Sequence, residues 1–156
     1  MKDWITDAVT APAPLDVEAH HRSLREHPEL PTACAAPLQH FVSTTSGVTA
    51  AVVASSDGFD IAAILHGTVA PEKMAAMTSS MLALGEAILG EADLSNCRNV
   101  IIESSDGLIV MLAIGDARRE LLLSVITTGD ATIGQVLWAA KRCCENIRSA
   151  VALIDA

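Results

Sequence analysis

From about residue 48 to residue 127 the chain is punctuated into five short apolar runs: Val48–Ala54, Phe59–Leu65, Val100–Glu103, Leu108–Ile114 and Leu121–Thr127. Runs of this length, rich in Val, Ile, Leu and Ala, predict strands. Two consecutive pairs are joined by the same tetrapeptide, Ser55-Ser56-Asp57-Gly58 and Ser104-Ser105-Asp106-Gly107. Both pairs are therefore expected to be hairpins, with the glycines supplying the positive φ that a tight reversal between twisted strands demands. The runs carry few polar residues on either face. That pattern fits a sheet covered on both sides.

Three longer stretches have helical periodicity. The first is expected over Pro37 to Thr45, with Pro37 in the first turn, Leu38, Phe41 and Val42 facing inward, and Gly47 closing it. The second, Pro71 to Leu89, has Met74, Met77, Met81, Leu84 and Ile88 along one face and alanines and leucines over much of the remainder. Its only charges are Glu72, Lys73 and Glu86. A helix resting on a sheet needs a single apolar stripe, so this one calls for a second cover, and another subunit is the economical choice. The third, about Thr132 to Ile147, turns Ile133, Val136, Leu137, Ala140, Cys144 and Ile147 inward and leaves Lys141, Arg142, Glu145 and Arg148 solvated. The order α-β-β-α-β-β-β-α predicts an α/β chain of the α+β kind, a five-stranded antiparallel sheet with helices on both faces.

Residues 1 to 36 read as an N-terminal extension, partly disordered or one short helix. They contain four of the six prolines and three of the five histidines. A helix over Leu15 to His27 would be marginal alone, and His20, His21 and His27 lack the companions a metal site needs. Residues 37 to 150 make the domain, and the apolar tail 151 to 156 either extends the last helix or docks on the domain.

Composition sharpens this picture. Hydrophobic residues make up 51% of the chain, yet no run approaches the roughly 20 apolar residues of a membrane span, so membrane insertion is not expected. The excess points to an oligomer interface. A net charge of −9 argues against nucleic acid as a partner. The N-terminus lacks the pattern of a signal peptide, and a cytoplasmic location is expected. Cys34, Cys97, Cys143 and Cys144 have no metal-site spacing and read as buried reduced thiols.

No catalytic signature is present. The chain contains no phosphate-binding Walker loop, no dinucleotide fingerprint, no Gly-x-Ser-x-Gly and no His-Glu-x-x-His. The serines and aspartates of the repeated tetrapeptide are accounted for as turn formers. Neither a cofactor nor a metal is expected, and the chain is not expected to be an enzyme. Arg118 and Arg119, at the tip between the last two strands, are candidates for reaching a nucleotide's phosphates, although Asp116 and Glu120 beside them would also form ordinary surface ion pairs.

The run from Gly47 through Val48-Thr49-Ala50-Ala51-Val52-Val53-Ala54-Ser55-Ser56-Asp57-Gly58 to Phe59, the apolar middle helix, and Ile114-Gly115-Asp116 before the last strand together resemble the Roadblock/dynein-light-chain domain of bacterial regulators of Ras-like GTPases. The resemblance covers about Leu38 to Ile147. It implies a profilin-like architecture, with the first and last helices on one sheet face and the middle helix on the other. It also implies a homodimer, formed by pairing the third strands (Arg98 to Ser104) and packing the middle helices (Met74 to Ile88) together. The interface residues so implied are Met74, Met77, Thr78, Met81, Leu82, Leu84, Gly85, Ile88, Val100 and Ile102. The function implied is a noncatalytic regulatory or scaffold module that binds a small Ras-like GTPase. The alternative is a small-ligand sensor of profilin-like or PAS-like type, whose aromatic-lined cavity would have to be built from two Phe, two Trp and no Tyr.

Overall fold

The computed structural model describes residues 27–115 and 120–154. In chain order the elements are α1 (Leu30–Thr44), β1 (Val48–Ser55), β2 (Asp60–Leu65), α2 (Pro71–Glu91), β3 (Asn99–Ser104), β4 (Gly107–Ile114), β5 (Leu121–Thr127) and α3 (Ile133–Ile154). The strands form one sheet in the order β2-β1-β5-β4-β3, with every neighbouring pair antiparallel. The chain is an α+β protein with the element order read from its sequence.

Side-chain alternation explains why the strands look apolar throughout. On β4, Leu108, Val110, Leu112 and Ile114 join a core beneath α1 and α3, whereas Ile109, Met111 and Ala113 belong to a second core beneath α2. β1 divides likewise, Ala51 and Val53 to the first core and Val52 and Ala54 to the second. The inner strands β1, β4 and β5 thus bury both faces, and a period-2 pattern of polar residues has no place in them; β3, at the edge, is exposed over its last four residues.

The two copies of Ser-Ser-Asp-Gly make different turns. In the first, Ser55 and Phe59 close a three-residue loop through Ser55 N–H to Phe59 O at 2.8 Å, and Gly58 has φ +91. The Ser55 hydroxyl accepts from Phe59 N–H at 3.2 Å. This is the three-residue hairpin loop with a left-handed glycine. In the second, Ser104 pairs directly with Gly107 across a two-residue turn, and no residue of the turn has positive φ. There the Ser104 hydroxyl braces the reversal, accepting from Asp106 N–H and donating to Gly107 O, both at 3.2 Å. The expectation of positive φ at both glycines holds for Gly58 and not for Gly107, which is required for a steric reason: a Cβ at Gly107 would run into the carbonyl oxygen of Thr127.

The first helix begins seven residues before its expected start. Leu30, Cys34, Leu38 and Phe41 repeat at helical spacing and are all buried, so the apolar stripe extends upstream of Pro37. Pro31 takes the first-turn position expected of Pro37, which lies inside the helix. Pro37 cannot donate to the carbonyl four residues back. Its own carbonyl accepts a weak bond from the Cys143 thiol at 3.8 Å, joining α1 to α3. Leu30 to Ala36, expected to lie in the extension, are thus helix packed on the sheet. At the other end α3 runs to Ile154, so the apolar tail continues the helix through that residue.

Three of the four cysteines are buried, Cys97 is half-buried, and none is disulfide-bonded. Burial pushes the Cys34 thiol up to about 11 and those of Cys143 and Cys144 up to about 12. The folded chain holds these protons more tightly than the unfolded chain, whose thiols titrate near 9.0. Stability should therefore be full below that value and decline as pH rises from it through about 11 to 12, by up to about 1.4 kcal/mol per pH unit for each thiol. Urea midpoints of the reduced protein on either side of pH 9 check this. Cys143→Ala should flatten the decline, and a profile already flat in the parent would show that the thiols titrate normally.

Candidate functional site

Helix α2 opens at Pro71, with Glu72 in its first turn, a carboxylate favoured by the dipole. It lays Met74, Ala75, Thr78 and Leu82 against the sheet. Thr78, fully buried, satisfies its hydroxyl by donating to Met74 O at 2.8 Å. Two polar contacts fix another side of the helix to the ends of the strands. The Ser79 hydroxyl donates to Ser56 O at 2.5 Å, and Glu86 Oε1 accepts from Cys97 N–H at 2.6 Å. Gly85 allows the close approach to β3, because a Cβ there would lie 2.7 Å from Cys97 Sγ and 3.3 Å from a Val100 methyl.

What remains is a stripe at i, i+4, i+7 and i+11: Met77, Met81, Leu84 and Ile88. Met77 is 53% exposed, Leu84 38% and Ile88 62%; Met81 is half-buried, packed in part on the core beneath α2. Beside the stripe lies β3, an edge strand with only β4 as its neighbour. Val100 and Ile102 pair with Met111 and Ile109 and so share the α2 face. Ile102 is 40% exposed. An edge strand leaves a row of N–H and C=O groups without ladder partners, and here that row adjoins a contiguous apolar patch, an arrangement that marks interaction surfaces.

The ten residues implied as an interface therefore divide. Met77, Met81, Leu84, Ile88, Val100 and Ile102 lie along the helix stripe and edge strand. Met74, Thr78 and Leu82 do not, since at 5%, 0% and 6% exposure they sit beneath α2 in the protomer's own core. The expected single face of Met74, Met77, Met81, Leu84 and Ile88 is in fact two, with Met74 on the sheet side. Gly85 faces Cys97 and Val100 within the chain. Exposed Leu94 and Ile101 are not among the ten: Leu94 lies in the connection between α2 and β3, and Ile101, paired with Val110, points to the opposite face of β3. Arg118 and Arg119 lie outside the described residues, as do His20 and His21.

A cavity of about 370 Å³ between α2 and the strand ends is bounded by Ser56, Ser79, Glu86, Glu120 and Leu122, with no aromatic ring in its walls. Among the described residues no group of three or more His, Cys, Asp and Glu could hold a metal ion, and no helix is long and apolar enough to cross a membrane.

A model of the Roadblock/LC7 domain matches residues 37–127. The chain belongs to that family. Among its relatives is the uncharacterized protein MJ1340 of Methanocaldococcus jannaschii, 27% identical over 108 residues that make up 69% of this chain and 91% of that protein. The fold is also that of a Roadblock/LC7 domain from Streptomyces avermitilis, with TM-score 0.65 and 20% identity, over 73% of this chain and 93% of the other. The gliding protein MglB of Thermus thermophilus shares it at TM-score 0.68 and 14% identity, over 78% and 90% of the two chains. These likenesses show the shared fold, in which this chain's sheet lies between α2 on one face and α1 and α3 on the other.

Proposed function

We propose that this Roadblock/LC7 chain is a noncatalytic, homodimeric regulatory module of the cytoplasm that binds a small Ras-like GTPase. The observation that carries the reading is the stripe Met77, Met81, Leu84 and Ile88 beside the open edge of β3. Two copies related by a two-fold axis can continue the sheet through β3 and cover each other's stripe, which gives the apolar residues their second cover and the edge its hydrogen bonds. The paired α2 helices then form the composite surface offered to the GTPase.

Ile88→Glu tests the dimer better than Met81→Glu, because Ile88 is 62% exposed and its replacement leaves the protomer core intact, whereas Met81 packs partly on that core. Sedimentation should show the dimer dissociation constant of Ile88→Glu raised by at least about tenfold, with the thermal midpoint of the dissociated chain little changed. A wild-type chain that sediments as a monomer would remove the dimer. For the partner, the protein is mixed with a cognate GTPase in its GDP and GTP states, and complex formation and phosphate release are followed together. Binding in at least one state is expected, and absence of binding in both would overturn the GTPase reading while leaving the dimer intact.

A further inference from the structure

On the opposite face of the sheet from α2, helix α3 presents Trp138, 65% exposed and one of two tryptophans in the chain. The Arg142 guanidinium, one turn on, lies 5.1 Å from the centre of its ring. Cavities flank this pair. One of about 370 Å³ runs along the α1–α3 seam past Pro37, His40, Phe41 and Asn146. The other, about 730 Å³, opens beside Thr45, Ser46, Gly134 and Gln135. Trp138 and Arg142 themselves belong to neither core and lie away from the α2 patch. Trp and Arg are the side chains that most often anchor a bound segment, and a groove walled by an aromatic ring suits a proline-rich one.

We propose that the groove around Trp138 is the docking site of the chain's own residues 11–18, Ala11-Pro12-Ala13-Pro14-Leu15-Asp16-Val17-Glu18, bound in cis. Pro12 and Pro14 supply rings to stack on the indole, and an extended proline-rich stretch loses little conformational entropy on binding. Asp16 and Glu18 supply carboxylates for Arg142, which has no carboxylate partner among the described residues. The chain's geometry permits it. The 26 residues before His27 lead directly into α1, which is itself one wall of the groove. The 14 residue steps from Leu30 to Thr44 correspond to about 21 Å of helix at 1.5 Å per residue, and the 12 residues from Glu18 to Leu30 can span about 40 Å. Tethering also answers the charge problem. A separate acidic peptide would be repelled by a chain of net charge −9, whereas a linked one is held at an effective concentration on the order of millimolar.

The test uses the full chain carrying Trp4→Phe, in which Trp138 is the sole tryptophan. Its emission maximum and its quenching by acrylamide are measured. The expected result is a shielded, blue-shifted indole. Pro12→Gly with Pro14→Gly should raise the quenching constant severalfold and shift emission to the red, with the circular dichroism spectrum and thermal midpoint unchanged. Asp16→Lys should do the same in part, and Arg142→Glu added to Asp16→Lys should restore shielding. Quenching typical of an open indole in the parent, or shielding that ignores all these changes, would overturn the proposal. Shielding lost on dilution would overturn it too, since the segment would then be reaching a neighbouring copy.

Discussion

Replacing Gly107 with alanine is expected to lower the folding free energy by about 3 kcal/mol, the upper part of the range for overpacking and a large share of the roughly 5–15 kcal/mol that holds a domain together. The atoms that a Cβ would meet are all backbone, at Thr127 and Thr128, and they cannot retreat. Thr128 N–H donates to Gly47 O at 2.8 Å, and the Thr127 hydroxyl both accepts from Leu108 N–H at 3.0 Å and donates to Thr128 O at 3.0 Å. Moving β5 away from Gly107 would break these bonds beside the pairing of β4 with β5. Gly58→Ala makes the comparison. Its cost is conformational, about 1–2 kcal/mol for placing a Cβ at positive φ, and Gly58→Asn should recover part of it. Urea midpoints of the three variants separate the two mechanisms. Equal losses for Gly107→Ala and Gly58→Ala would show that the Thr127 contact does not decide the role of Gly107.

The same pair of glycines shows what a sequence can and cannot carry. The tetrapeptide is identical in both copies and correctly marks two hairpins, because Ser, Asp and Gly favour reversal for local backbone reasons. The loop length, the sign of φ and the strand lying across Gly107 depend on residues far along the chain, and local chemistry is silent on them. The strands, and the double burial of β1, β4 and β5, were legible in the same way, from apolar runs that local pattern expresses, whereas the exposure of β3 follows from its place at the sheet edge. The division of helices between faces came from the family resemblance, whereas the sheet order β2-β1-β5-β4-β3 depends on long-range pairings that no local pattern expresses. The site was half legible. An α2 apolar nearly all round announced a second covered face, but its period alone could not say which of its methionines met the sheet. Met74 and Met77 are three residues apart and look equivalent in sequence. In the fold one is buried and the other more than half exposed, because the approach of Gly85 to Cys97 and the bonds from Ser79 and Glu86 set the rotation of the helix. Trp138 was passed over because its neighbours Lys141, Arg142 and Glu145 read as an ordinary wet face, and an exposed tryptophan interrupts no periodic pattern.

A chain beginning at Pro37 is expected to lose about 4 kcal/mol or more relative to the full chain, whereas one beginning at His27 should keep the full stability of the core. Proline at a first helical turn and the polar, proline-rich composition upstream make Pro37 look like a boundary. Leu30 and Cys34 are nevertheless 3% and 0% exposed and belong to the core shared by α1, α3 and the sheet. Truncating a single buried leucine to alanine costs about 2–5 kcal/mol. Deleting the segment removes Leu30 and Cys34 outright, together with the first two turns that cover their neighbours. It also returns Pro37 to a helix start, so part of the helix is re-formed at no backbone cost, which is why the expected loss is not larger. Leu30→Ala in the full chain isolates the packing contribution and should account for roughly half of the deficit or more. Urea unfolding of the two shortened chains and of Leu30→Ala decides the matter. Equal midpoints for the chains starting at His27 and Pro37 would mean that the first turns of α1 add nothing to the fold and that Pro37 is the boundary after all.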